Sequence, residues 1–164
     1  MDYWIFVAKD FEDVTALEKF KIAKEKLLWG FWHREAGEKQ IKYWRDFKKL
    51  YDEIKHLDMV FFQRVDTESI HGFGIVKRKY EDFKTLIWPD EQKRGQVLYP
   101  YRVSFYLLFF SEDPLATYSP IEAEAKKEGR FVIGYGIGKL LGSEVKQIVA
   151  EMEEKKLWLG TIDA

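Results

Sequence analysis

The chain has no cysteine in its 164 residues. Disulfides, thiolate zinc sites and cysteine nucleophiles are therefore excluded. The absence suits a reducing compartment, and the expected location is the cytoplasm. Histidine is scarce, with three residues. His33-Arg34-Glu35 has the His-x-Glu spacing of zinc deaminases, but that chemistry needs a cysteine pair which is missing here. Long apolar runs are also missing. The longest, Val103 to Phe110, is far too short to span a bilayer, so no membrane partner is expected. No basic region precedes an apolar stretch at the N-terminus, so no targeting segment is expected either. Net charge is nearly absent, at −1. A broad electrostatic nucleic-acid binder would carry a clear positive excess. If nucleic acid is the ligand, affinity has to come from a local basic patch together with a pocket.

What is present is apolar and aromatic surface: 46% hydrophobic residues, and 17% Phe, Trp and Tyr. At this length a single domain with a real core is expected. It is assigned to residues 1–157, with 158–164 as a tail or the start of a linker. Residues 3–8 read as a strand. A helix is expected to begin near Asp10, with acids in its first turn and Val14, Leu17 and Phe20 on its apolar face. Residues 39–56 form the clearest helix, because Ile41, Trp44, Phe47, Leu50, Tyr51 and Ile54 recur at spacings of three and four. Residues 59–65 and 70–77 suggest a hairpin. A polar connection over 79–96 carries Trp88, and a long strand signal covers 97–110. A short helix follows Pro120, and a last helix over 143–157 is expected to be capped by Ser143, with Val145, Ile148, Val149, Met152 and Leu157 inward. This order reads as an α+β fold.

Catalytic patterns are thin. Gly134 to Lys139 looks like a phosphate loop, but Ile133 stands where the first glycine is needed and Leu140 where Ser or Thr is needed. A tight turn or bulge is the better reading. Pro89-Asp90 followed by Glu91 and Lys93 has the residue types of a PD-(D/E)xK nuclease, yet both halves are adjacent and cannot converge on a metal. No enzyme activity and no cofactor are expected.

The tryptophans differ in context. Trp4 lies in the first strand and Trp44 on a helix stripe, so both are expected in the core. Trp29, Trp32 and Trp88 lie in segments broken by glycine or proline, where functional residues collect, although core packing would explain them equally. Lys77-Arg78-Lys79 and Lys93-Arg94 are candidate phosphate contacts flanking the Trp88 segment. Lys126, Lys127 and Arg130 make a third, weaker cluster. Each could equally be a solvated face.

Three of these segments, taken in order, resemble the YTH and EVE branches of the PUA-like superfamily. They are Tyr3 to Asp10 with Asp13 behind it, Leu28-Trp29-Gly30-Phe31-Trp32, and Ile87-Trp88-Pro89-Asp90. Phe61, Phe62 and Phe73, the last flanked by Gly72 and Gly74, match the strand pair between them. Tyr99-Pro100-Tyr101-Arg102-Val103 looks closer to the EVE branch. Ala8 stands where YTH domains place serine, and Gly30 where they place a small hydroxyl residue. The resemblance implies a curved, mostly antiparallel sheet or partial barrel with packed helices. It implies a flipped modified base held between Trp29 and Trp88, with Trp32 or Phe31 closing the cage and Asp13 on a base edge. Helix-dipole stabilisation is the other account of Asp13. Such domains also serve as N-terminal specificity modules of McrB-type modification-dependent restriction systems. That context implies DNA carrying N6-methyladenine, favoured over RNA, and an AAA+ motor and a nuclease in other domains or subunits. A reader of modified RNA and a protein-interaction module are the alternatives.

Overall fold

A computed structural model describes residues 1–11, 13–33, 38–117, 119–132 and 134–163, without the side chains of 38–40, 119 and 156–163. In chain order the elements are β1 (Tyr3–Ala8), α1 (Ala16–Lys26), β2 (Leu28–Phe31), α2 (Glu38–Glu53), β3 (Met59–Arg64), β4 (Ser69–Glu81), α3 (Pro89–Arg94), β5 (Tyr101–Phe110), β6 (Ala116–Thr117), α4 (Ser119–Lys127), β7 (Phe131–Val132), β8 (Ile137–Leu140) and α5 (Gly142–Asp163). One sheet runs in the order β2-β5-β4-β3-β1-β8-β7, with β6 added to β4. Among the described residues only β1 and β3 pair in parallel. The sheet curls into a half-barrel whose first and last strands are β2 and β7. This is the α+β, PUA-like curved sheet.

The curl follows from strand patterning. Side chains alternate faces along a strand. Trp4, Phe6 and Ala8 of β1, with Val60 and Phe62 of β3, point into the half-barrel. Ile5 and Phe61 point the other way, into a second core with Val145 and Ile148 of α5. Both faces are covered, so the central strands are apolar nearly throughout. The inner core is largely aromatic: Phe6 meets Phe31 edge-on at 4.8 Å, and Phe47 stacks on Tyr135 at 4.6 Å. Buried Asp58 accepts the Trp4 indole N–H at 3.0 Å and the Asp2 and Lys55 amides at 2.9 and 2.8 Å, which ties the chain start to the end of α2.

Several element boundaries differ from expectation. The first helix begins at Ala16, because Thr15 is the N-cap and accepts the Glu18 amide at 3.1 Å. Asp10 caps it as well, accepting the Ala16 amide at 2.8 Å. Asp13 therefore lies in the turn ahead of the helix, and the dipole account of its position lapses. Leu17 is exposed, and the inward stripe of α1 is instead Ala16, Lys19, Phe20 and Ala23. Ile41 faces solvent, whereas Phe47, Tyr51 and Ile54 are buried. Trp44 is half-buried against the inner core. α5 starts at Gly142, one residue before Ser143, and Glu144 accepts the Leu141 amide at 2.8 Å. The helix runs on through 158–163, and the side chain of Leu157 lies outside the described residues. β7 and β8 were not expected as strands. The turn between them uses Gly134 and Gly136 at φ +90° and +65°, and Gly136 O accepts the Val7 amide at 2.9 Å. A side chain at 136 would both strain the left-handed backbone and press on the Val7 carbonyl. Among the described residues no helix is long and apolar enough to cross a membrane.

Candidate functional site

A half-barrel has a seam where its edge strands fail to pair. Here the seam between β2 and β7 opens into a cleft of about 310 Å³. This is at the small end of the roughly 300–1,000 Å³ typical of ligand sites. Its walls come from the end of β1 and the turn behind it, from α1, β2 and α4, and from the β7–β8 turn. Three rings gather at one side. Trp32 lies 6.0 Å from Phe11 and 5.7 Å from Tyr99, centroid to centroid.

Lys19 stands among these rings. Its side chain comes off the inward stripe of α1 and is 7% exposed, which is rare for lysine. The ammonium sits 4.3 Å from the Phe11 ring centroid and 4.9 Å from that of Tyr99, both cation–π distances. Burial pulls its pKa down to about 8, and the charges of Asp90 and Asp10 partly offset that pull. Lys9 and Lys126 also line the cleft, Lys126 pairing with Glu122 at 3.2 Å.

The Trp88 wall is built differently. Glu91, fully buried, accepts four backbone amides: Ile87 at 2.9 Å, Trp88 at 3.2 Å, Leu98 at 2.8 Å and Tyr99 at 3.1 Å. Arg102 donates to the Tyr99 carbonyl at 3.1 Å and to the Thr85 carbonyl at 2.5 Å, and pairs with Asp82 at 3.1 Å and Glu91 at 3.5 Å. Amide donors from Lys84 and Thr85, ahead of the Arg102 charge, bring the Asp82 carboxyl down to about 2. Tyr99 donates its hydroxyl to Asp90 at 2.5 Å, and burial with that bond holds the phenol far above its usual range. The Arg102 guanidinium also faces the Trp88 ring at 5.5 Å.

The expected cage is thus only partly assembled. Trp29 and Trp88 are brought to one shared cavity, but its volume is about 10 Å³ and Tyr99 and Lys19 complete its lining. That is room for about one water. Trp29 is 4% and Trp88 2% exposed, so both rings are packed within the protein, and Trp29 also borders the cleft. Gly30 explains the missing hydroxyl residue: a Cβ there would lie 2.7 Å from the Trp88 ring, so glycine lets that ring lie across β2. Of the two residues offered for the third wall, Phe31 is core, its ring 5.3 Å from that of Phe47, while Trp32 is half-buried beside the cleft. Ala8 is core as well, its carbonyl accepting the Val65 amide at 3.0 Å. Asp13 is engaged by Lys93 at 2.8 Å and Arg94 at 3.0 Å, and these bonds hold its carboxyl below the usual range. The pair expected on phosphate therefore clamps the residue expected on the base.

Lys79 is turned inward too, donating to the carbonyls of Tyr51 and Asp52 at the end of α2. Lys77 and Arg78 lie over the rings of Tyr106 and Tyr80. None of these three lines the cleft. The nuclease-like residues are accounted for structurally, since Asp90 and Glu91 accept from Tyr99 and the backbone. No metal-binding group of three His, Asp or Glu occurs among the described residues. His71 is sealed in, bonded to Thr67 at 2.7 Å and to the Ser111 carbonyl at 3.0 Å. His33 and His56 bond the hydroxyls of Tyr101 and Tyr106. Sequence reasoning missed Lys19, Phe11 and Tyr99 as site residues. The available cue for Lys19 was its place between Ala16, Phe20 and Ala23 at helical spacing.

These features define a PUA-like curled sheet with an aromatic, cationic cleft at its open seam. No protein-family model matches the chain. It is 34% identical over 155 residues to the uncharacterized protein MJ1369 of Methanocaldococcus jannaschii, covering 94% of this chain and 92% of that protein, and it belongs to the same family. Among solved structures, a hypothetical protein from Leishmania major aligns at TM-score 0.57 with 14% identity, covering 95% of this chain and 97% of that one. A protein from Pseudomonas putida aligns at 0.52 with 13% identity, covering 92% and 99%. At such identities the likeness is one of fold.

Proposed function

We propose that this protein is a non-catalytic nucleic-acid-binding module that takes one flipped, modified base into the seam cleft, with N6-methyladenine in DNA as the favoured ligand. The observation that carries this reading is the cleft itself: about 310 Å³, ringed by Trp32, Phe11 and Tyr99 and backed by a buried lysine. A base leaving its stack must recover that energy in the pocket, and one aromatic ring returns roughly 1–3 kcal/mol. Lys9 at the cleft supplies local positive charge suited to a phosphate beside the flipped base, while the charge of Lys126 is offset by Glu122, which lines the same cleft.

The order of the Trp29, Phe73 and Trp88 segments, resembling YTH and EVE domains, supports a modified base over an ordinary one. It also supports a place as the specificity module of an McrB-type modification-dependent restriction system, in which an AAA+ motor and a nuclease reside in other domains or subunits. The test is a binding titration at physiological salt with matched DNA duplexes carrying or lacking one N6-methyladenine, and RNA of the same sequence alongside. Preference for the methylated duplex of at least about tenfold, or 1.4 kcal/mol, is expected. A methylated-RNA preference would move the ligand to RNA, and equal binding of every pair would remove the base-reader reading.

A further inference from the structure

An ammonium has three donors and no acceptor. Lys19 is 93% buried, being 7% exposed, yet among the described residues its ammonium has ring neighbours and no hydrogen-bond acceptor. The two acids that stabilise its charge hydrogen-bond to other groups, Asp90 through both oxygens and Asp10 through one. Asp10 accepts the Ala16 amide, and Asp90 accepts the Glu91 amide at 3.1 Å and the Tyr99 hydroxyl at 2.5 Å. The positive charge is thus held in place while its N–H groups remain unspent. The side chain lines both the cleft and the small cavity behind it, so those donors border the space a ligand would enter.

We propose that Lys19 is the base-reading residue of the cleft, donating a hydrogen bond to an unprotonated acceptor, a ring nitrogen or a carbonyl oxygen, on the edge of the bound base. This rests on the base-reader reading and names the ligand chemistry the site selects. A base whose facing edge carries only donors is refused, because an ammonium can accept nothing. In N6-methyladenine the suitable atoms are the ring nitrogens, N1 and N7 foremost. Asp13 drops out of base recognition, since Lys93 and Arg94 occupy it and its charge would repel the same acceptor edge.

The experiment is a double-mutant cycle between protein and ligand. Wild type and Lys19→Met are titrated with the N6-methyladenine duplex, with its unmethylated match, and with duplexes in which N1 or N7 of the methylated base is replaced by C–H. Melting temperature confirms folding of the variant. Wild type should lose about tenfold in affinity on one of the two replacements, the scale of one charge-assisted hydrogen bond. Lys19→Met should lose the same about tenfold on the parent duplex and nothing further on that analogue. Lys19→Met binding the methylated duplex as tightly as wild type would overturn the proposal while leaving the reader standing. Equal losses on methylated and unmethylated duplexes, with a salt slope reduced by about one, would also overturn it by placing Lys19 on phosphate. A wild type indifferent to methylation would overturn the reader and this inference together.

Discussion

Arg102 and Lys19 are both buried cations, and both touch Tyr99, yet the protein treats them in opposite ways. Arg102, fully buried, spends its guanidinium on two carbonyls and two carboxylates and lies over Trp88. Lys19 has two aromatic rings and two carboxylates that stabilise it only through space. The first arrangement is complete without a ligand. The second leaves the ammonium at the cleft, where the proposed ligand would meet it. A satisfied polar network rigidifies a wall, whereas the Lys19 side chain lines the cleft with an ammonium whose donors have no acceptor among the described residues. The Trp88 side of the molecule is a closed network, and the seam beside Trp32 is the open side on which the proposed function rests.

The largest expected effect comes from breaking the satisfied side. Arg102→Met would strand the buried carboxylate of Glu91 beside Asp82, so stability should fall by about 3–5 kcal/mol. Thermal denaturation should register a drop of roughly 10 °C or more. Trp88→Ala should cost nearly as much, about 3–5 kcal/mol for a fully packed tryptophan, because the ring is 2% exposed against Leu28, Tyr99 and Gly30. A Trp88→Ala protein that melts like wild type would return that ring to the role of a cage wall. The same chemical change on the other cation should have the opposite sign. Lys19→Met should stabilise the free protein by up to about 3.5 kcal/mol, since one pKa unit is worth roughly 1.4 kcal/mol and the Lys19 value is lowered from 10.5 to about 8. A melting temperature below wild type would show that the ammonium is structural.

The smallest and finest effect is in pH. Folding depresses the Lys19 pKa, so the folded state holds fewer protons than the unfolded one between about 8 and 10.5. The destabilisation caused by Lys19 is full below about 8 and fades as pH rises toward 10.5. Denaturant titrations of wild type and Lys19→Met should therefore converge over that window. Binding has the opposite dependence: the ammonium is needed, so affinity for the methylated duplex should weaken as pH climbs past about 8. Parallel stability profiles for the two proteins would contradict the burial argument.

Much of the fold was legible because its signals are local. The compact aromatic and β-branched run of Tyr3 to Ala8, the periodic stripe ending at Ile54, and the paired apolar runs around Asp66 to Ser69 state their own structure. β7 and β8 were not legible, since two- and four-residue strands around a glycine turn carry too little pattern. The site was harder for a physical reason. Trp29 and Trp88 do converge, but the cavity they share is small and is also lined by Lys19 and Tyr99, and no short motif encodes a wall drawn from three segments. Asp13 was read as a base-edge contact or a helix-dipole acid, because its partners, Lys93 and Arg94, lie some eighty residues on. Lys19 was counted among the basic residues of its stretch. Only its position on the inward stripe of α1 sets it apart from Lys21, Lys24 and Lys26.

The most direct test is a structure of the protein bound to a duplex with a single N6-methyladenine. The account predicts the base extruded into the seam, its ring against Trp32, the Lys19 Nζ within hydrogen-bond reach of a ring nitrogen, and Trp29 and Trp88 still closed on Tyr99. A base lodged between Trp29 and Trp88 with Tyr99 displaced, or a duplex bound with every base still stacked, would contradict it.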